Sequence, residues 1–209
     1  VMSRFGLSLG FGDKTVKEVC EMNNVDCQTF LVVVNFMAEG FSRMDGSADD
    51  ISIPALVDYL RQAHIYFLDY CLPAIRRKLI EAIDCSQDDV SFLILKFFDG
   101  YMREVRKHME YEEKTVFKYV DTLIHGNAPK NYQISTFSKH HDQVGERLTE
   151  LKNIIIKYCP AKANTNVLNA ALFDIYACEE GLESHCKVED YLFVPAILKL
   201  ERRMRENEK

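Results

Sequence analysis

Apolar residues recur every three or four positions along most of the chain, which is the period of an α-helix and not that of a strand. On this pattern we predict four long helices, over about residues 52–82, 88–124, 135–158 and 165–205. Polar breaks separate these segments, and short connections favour antiparallel neighbours. The sequence therefore predicts an all-α fold, an up-and-down four-helix bundle.

Proline and glycine mark where the helices begin, bend and end. Pro54 falls in the first turn of the first long helix, where its missing N–H has no helical partner in any case. Pro73 lies inside the same helix and predicts a bend. Gly40 and Gly46 belong to the polar stretch 39–50, which we interpret as a linker.

Two shorter helices are predicted before this linker, near residues 13–22, with Asp13 or Thr15 as the cap, and near 26–37. We therefore expect two domains, a small helical one over 1–42 and the bundle over 50–206. The first residue is Val1, which leads us to expect that the small domain is truncated.

Composition narrows the class of protein. The chain has 209 residues, of which 47% are apolar and 28% charged, so a substantial core is expected. The net charge of −6 argues against nonspecific binding to nucleic acid or to an anionic membrane. Seven cysteines without a CxxC pair indicate free thiols in a reducing cytoplasm. No apolar run approaches the roughly 20 residues that cross a bilayer.

Each predicted long helix carries at least one of the six histidines. In chain order the helices carry His64, His108, the pair His140 and His141, and His185. Adjacent residues point about 100° apart on a helix, so His140 and His141 compete for one inward position. His125 precedes Gly126 at the end of the second helix, where a capping role is expected because a cation favours that end of the helix dipole.

Two of these histidines are followed four residues later by a glutamate, as His108–Glu112 and His185–Glu189. Residues with this spacing differ by about 40° around a helix, so both side chains can reach one site. Imidazole and carboxylate together suit iron, manganese or zinc, and two carboxylates suit a two-metal centre. A single pair of this kind is usually a weak surface contact. Two copies on separate helices favour the metal site.

The residues after each pair repeat a pattern, H-x-x-x-E-[DE]-x-x-[VL]-F, which ends in Val116–Phe117 and in Leu192–Phe193. These apolar residues are predicted to be buried beside the site and to limit its access to water. The alternative is a purely structural bundle, in which the histidines satisfy polar groups of the core. It is disfavoured because four buried imidazoles without a metal would each need partners.

These motifs resemble the hemerythrin-like HHE cation-binding family, and within it the bacterial "repair of iron centres" di-iron proteins. The resemblance covers about residues 50–200. It includes H-M-x-x-E-E-x-x-[LV]-F at 108–117 and H-D-x-x-G-E at 141–146, which favours His141 over His140. It also includes a histidine before Leu72–Pro73 and the segment from His185 to Phe193, with Val194 inserted before Pro195.

The resemblance implies two non-haem iron ions, bridged by an oxo group and by carboxylates. The implied ligands are His64, His108, His141 and His185 as terminal ligands and Glu112 and Glu189 as bridges. His64 and His108 would share one iron, and His141 and His185 the other. Phe5–Gly6–Leu7 and residues 15–20 resemble the small N-terminal domain of the repair proteins, but Ser8–Gly12 stands where their Cys-Cys-Gly-Gly motif is found.

Oxygen-carrying hemerythrins have a further histidine one turn from the third-helix ligand, where this chain has Gly145 and Phe137. The missing ligand favours reactivity or iron transfer over reversible oxygen carriage. The resemblance thus implies a cytoplasmic stress-response protein that reacts with nitric oxide or oxygen species, or donates iron to damaged iron–sulfur proteins. The alternative is an oxygen, nitric oxide or iron sensor without turnover. No catalytic residue is assigned, and enzymatic activity stays open.

Overall fold

The computed structural model describes residues 1–39, 51–83, 89–127, 132–139, 144–160 and 163–207. Within these ranges all regular secondary structure is helical, which confirms the predicted all-α fold. The α-helices are α1 (Val16–Met22), α2 (Cys27–Glu39), α3 (Ile53–Ile65), α4 (Leu72–Ala82), α5 (Asp89–Tyr111), α6 (Phe117–Ile124), α7 (Val144–Tyr158), α8 (Thr165–Val188) and α9 (Val194–Asn207). Short 3-10 helices cover Met2–Phe5 and Ile134–Lys139.

The two N-terminal helices begin at side-chain caps. Thr15, and not Asp13, caps α1: its hydroxyl accepts from the Glu18 N–H at 3.3 Å, and the Glu18 carboxylate accepts from the Thr15 N–H at 2.7 Å. This reciprocal capping box satisfies two donors that the helix itself leaves free. Asp26 caps α2 by accepting from the Thr29 N–H at 2.7 Å. The two short helices are therefore confirmed.

Within the described ranges, three π-helical turns interrupt the long helices, at Tyr66–Cys71, Glu112–Val116 and Glu189–Phe193. The first ends two residues before Pro73 and the third two residues before Pro195. In an α-helix the proline ring would clash with the carbonyl four residues earlier, and the wider turn occupies that part of the helix instead. A π turn thus precedes Pro73, and the bend expected there stays a prediction. The helix that directly follows the turn at Glu112–Val116, α6, contains no proline.

The third predicted helix begins later than expected. A 3-10 helix covers Ile134–Lys139, and α7 begins at Val144. The Thr136 N–H bonds the Gln133 carbonyl at 3.0 Å, a one-turn 3-10 contact. Serine and threonine in this segment favour such local bonds over a regular α-helix. His140 and His141 lie outside the described residues.

Contacts between residues divide the chain into two compact units. The first comprises Val1–His64, Glu112–Lys139 and Ser184–Lys209. Its core joins N-terminal residues to α3 and α6, because Phe5 packs against Tyr59 with ring centroids 4.7 Å apart in the same buried cluster as Phe117. The boundary expected between domains 1–42 and 50–206 falls largely outside the described residues and stays a prediction.

The second unit comprises Ile65–Tyr111 and His140–Glu183. Its core contains buried aromatic and aliphatic residues such as Phe98 and Leu151. Arg76 donates from Nε to Asp99 at 2.6 Å, and this interaction holds the pKa of the Asp99 carboxyl below its usual value. Among the helices that the structure describes, none is long and apolar enough to cross a membrane.

Candidate metal centre

Two histidines and two glutamates meet in the interior of the first unit. His64 lies in the last turn of α3 and His185 in the last turn of α8, while Glu112 and Glu189 are the first residues of two π turns. Their exposed fractions are 3% for His64, 2% for His185 and 0% for both glutamates. One nitrogen or oxygen atom from each of the four side chains lies within 4.8 Å of the others.

Each histidine contacts one of the glutamates. The Nε2 atom of His64 lies 2.9 Å from Oε2 of Glu112, and Nε2 of His185 lies 3.3 Å from Oε1 of Glu189. The two imidazole rings meet edge to face, with centroids 5.2 Å apart. Both histidines therefore present Nε2 to the same cluster of carboxylate oxygens.

Side chains around His64 fix the position of its ring. Its Nδ1 atom lies 3.0 Å from Oε1 of Glu113, and Oε2 of Glu113 lies 3.3 Å from Nε of Arg61. Phe117 stacks on the imidazole with a centroid distance of 5.5 Å and an interplanar angle of 13°. The ring is thus held at both nitrogens and on one face.

Burial and neighbouring carboxylates act in opposite directions on the pKa of His64. Burial lowers this pKa, but the hydrogen bonds to Glu112 and Glu113 outweigh it and raise the pKa to about 9. Burial also raises the pKa of the Cys186 thiol, as do the charges of Glu189 and Glu112. Cys186 therefore stays a protonated thiol at neutral pH, which makes it a poor nucleophile.

A family model of the hemerythrin HHE cation-binding domain matches residues 55–197, more than half of the chain. The chain belongs to this family. Comparison with curated proteins gives no match. The predicted family and the all-α, hemerythrin-like fold are therefore confirmed.

The four clustered side chains of this hemerythrin domain fit a metal site. Two carboxylates that are fully buried within one cluster repel each other, and burying such charges is costly unless a cation compensates them. Two imidazoles and two carboxylates are also a donor set that suits iron and related metals. The domain thus carries a candidate metal site at His64, Glu112, His185 and Glu189.

The other predicted ligands of the hemerythrin domain are not part of this described cluster. His108 is half-buried in the last turn of α5, which belongs to the second unit. His141 lies outside the described residues. The ligand roles of all six residues, and the sharing of each iron between two histidines, stay predictions. His125 is exposed at the end of α6 and its Nδ1 lies 2.8 Å from the Asp121 carbonyl, as expected for a capping residue.

The burial predicted for the apolar residues after each H-x-x-x-E pair is confirmed, and Phe117 among them stacks on His64. Val116, Phe117, Leu192 and Phe193 are all buried, and the rings of Phe117 and Phe193 meet edge to face at 5.8 Å. Sequence reasoning missed two polar neighbours, Glu113 and Arg61. The acid that follows each H-x-x-x-E pair was a signal for Glu113. Arg61, three residues before His64, has no comparable signal in the sequence.

Proposed function

We propose that this hemerythrin-family chain is a non-haem di-iron protein of the iron–sulfur cluster repair type. It would act in the response to nitrosative and oxidative stress, by reacting with nitric oxide or oxygen species or by donating iron. The observation that carries the proposal is the buried cluster of His64, Glu112, His185 and Glu189. The resemblance to the repair proteins adds His108 and His141 to this ligand set.

Each clustered side chain would have one role in such a centre. Nε2 of His64 and of His185 would serve as terminal donors. Glu112 and Glu189 lie on different helices with their oxygens in one cluster, so both could bridge two ions. When bound, two irons would supply electrons and coordination positions for nitric oxide or oxygen.

The surrounding residues limit what else reaches the site. Phe117 and Phe193 are 1% and 0% exposed, so they exclude bulk water from the His64 side of the cluster. Small diatomic molecules fit such an apolar surrounding better than charged metabolites do. Because the pKa of His64 is raised in the metal-free protein, loading of a metal on its Nε2 would release a proton.

The expected number of histidine ligands supports reactivity or iron transfer over reversible oxygen carriage. The two positions one turn from His141 are occupied by Phe137 and Gly145, so neither supplies the further histidine of the oxygen carriers. Fewer nitrogen ligands leave open coordination positions and hold an ion less tightly. The expected partners are damaged iron–sulfur proteins together with nitric oxide and oxygen.

Two measurements test the proposal. Protein purified without added metal should contain about two irons per chain, as expected for a carboxylate-bridged two-metal bundle site. The variants His64→Ala and Glu189→Ala should lose this iron, and the matched control His125→Ala, which removes an exposed histidine, should keep it. The loaded protein should then reactivate an oxidised [4Fe–4S] hydratase. Absence of iron overturns the di-iron centre, whereas iron and gas binding without reactivation overturns repair and favours a sensor.

A further inference from the structure

We infer that Glu113 is a positioning residue of the proposed metal centre. Arg61 holds the Glu113 carboxylate in place, and this carboxylate turns Nε2 of His64 toward the ligand cluster. The inference rests on the proposed metal site but assigns a residue that is not among the proposed ligands. It concerns the Nδ1 atom of His64, which faces away from the cluster, and the negative charge of Glu113 beside it.

The two nitrogens of His64 have different carboxylate partners. Nε2 lies 2.9 Å from Glu112 inside the cluster, and Nδ1 lies 3.0 Å from Glu113 outside it. A neutral imidazole donates from one nitrogen and offers a lone pair at the other. Because a carboxylate only accepts, each of the two glutamates favours a proton on the nitrogen that it faces. When a metal takes the lone pair of Nε2, the proton left on the ring is the one on Nδ1, and Glu113 accepts its hydrogen bond.

Arg61 fixes the carboxylate that fixes the histidine. It precedes His64 by three residues on α3, and its Nε lies 3.3 Å from the second oxygen of Glu113. The guanidinium also lies over the Phe117 ring, 5.5 Å from its centroid, while Phe117 stacks on His64. One oxygen of Glu113 thus contacts His64, which it orients, and the other contacts Arg61, which orients the carboxylate.

An anionic acceptor on Nδ1 of His64 would affect both the orientation of the ring and the properties of a metal bound at Nε2. It makes the imidazole a stronger donor and limits its rotation, and loss of such a partner typically lowers metal affinity about 10- to 100-fold. The negative charge also stabilises the higher oxidation state of a bound ion. Its removal should therefore raise the reduction potential of the centre.

A graded set of variants separates orientation from charge. Glu113→Gln keeps an oxygen that can accept from Nδ1 but loses the charge, and Glu113→Ala loses both. The Glu113 side chain is 37% exposed, so neither change opens a buried cavity. Asp58→Asn is the matched control, because Asp58 lies 4.0 Å from Arg61 and its side chain is 76% exposed.

The measurements are Co²⁺ and Fe²⁺ affinity by competition with a chromophoric chelator, and the reduction potential of the iron-loaded protein. We expect affinity to fall about 10- to 100-fold in Glu113→Ala and less in Glu113→Gln. The potential should rise in both variants, while Asp58→Asn matches wild type. Equal affinity and potential in all four proteins overturns the positioning role alone. Failure of wild type to bind either metal overturns the proposed centre, and this inference with it.

Discussion

The buried carboxylate of Glu201 connects three helical segments of the first unit, so its substitution tests how much these hydrogen bonds stabilise the fold. This residue of α9 is 6% exposed, and its Oε1 accepts from the Tyr119 hydroxyl at 2.6 Å and from the Ile134 N–H at 3.0 Å. One carboxylate oxygen thus joins α9 to α6 and to the first residue of the 3-10 helix Ile134–Lys139. The substitution Glu201→Ala removes both acceptor contacts at once.

The expected cost follows from the two donors that are left behind. Ile134 is 0% exposed, so water does not readily replace its acceptor. An orphaned buried donor costs about 1–3 kcal/mol, so the two together predict a loss of about 2–6 kcal/mol in the free energy of unfolding. Glu201→Gln keeps an acceptor oxygen but loses its charge, and we expect a loss of about 1 kcal/mol.

Urea unfolding of the metal-free protein, followed by far-ultraviolet circular dichroism, measures these losses. Tyr119→Phe completes a double-mutant cycle with Glu201→Gln, and residues in direct contact should give a coupling energy of about 0.5–3 kcal/mol. Arg205→Ala is the control, because Arg205 lies 3.7 Å from Glu201 with a largely exposed side chain and should cost less than about 1 kcal/mol. The reasoning is refuted if Glu201→Ala unfolds within about 1 kcal/mol of wild type, below the cost of two orphaned donors.

Three further predictions concern the site and the N-terminal helices. In the metal-free protein the pKa of His64 is raised from 6.5 to about 9, so its contribution to stability is complete below pH 6.5 and lost as pH rises through about 9. Urea midpoints should fall across that window in wild type and stay level in His64→Ala. Phe117→Ala should cost about 3–5 kcal/mol in the same unfolding assay and weaken iron binding, since Phe117 is buried against His64. Thr15→Ala should cost about 1 kcal/mol through loss of its cap, with unchanged iron content.

Local rules predicted the helices well because their signals lie close together in the sequence. The cap at Thr15 with Glu18 and the cap at Asp26 each act within three residues. The apolar period likewise placed the start of α8 and the end of α6 within a residue. Such features depend little on the rest of the fold, so the sequence contains what is needed to find them.

The pairing inside the site could not be predicted in the same way. Spacing on one helix suggested His108 as a companion of Glu112, but it gave no signal of the contact that Glu112 makes with His64 on another helix. Glu113 and Arg61 are 52 positions apart in number and meet only because α3 packs beside the turn at Glu112–Val116. Contacts of this kind depend on the packing of helices, which the apolar period does not specify.

The π turns depend both on the local sequence and on the packing of the helices around the candidate site. Two of them begin at the glutamates of the candidate site, and the third begins two residues after His64. A π turn has poorer hydrogen-bond geometry than an α-helix and is rarely retained without a reason. Pro73 and Pro195 favour the turns before them, but α6, which directly follows the turn at Glu112–Val116, contains no proline. That turn carries Glu112, Glu113 and the first of the apolar residues beside His64. We therefore expect that the turn is retained because it positions these side chains.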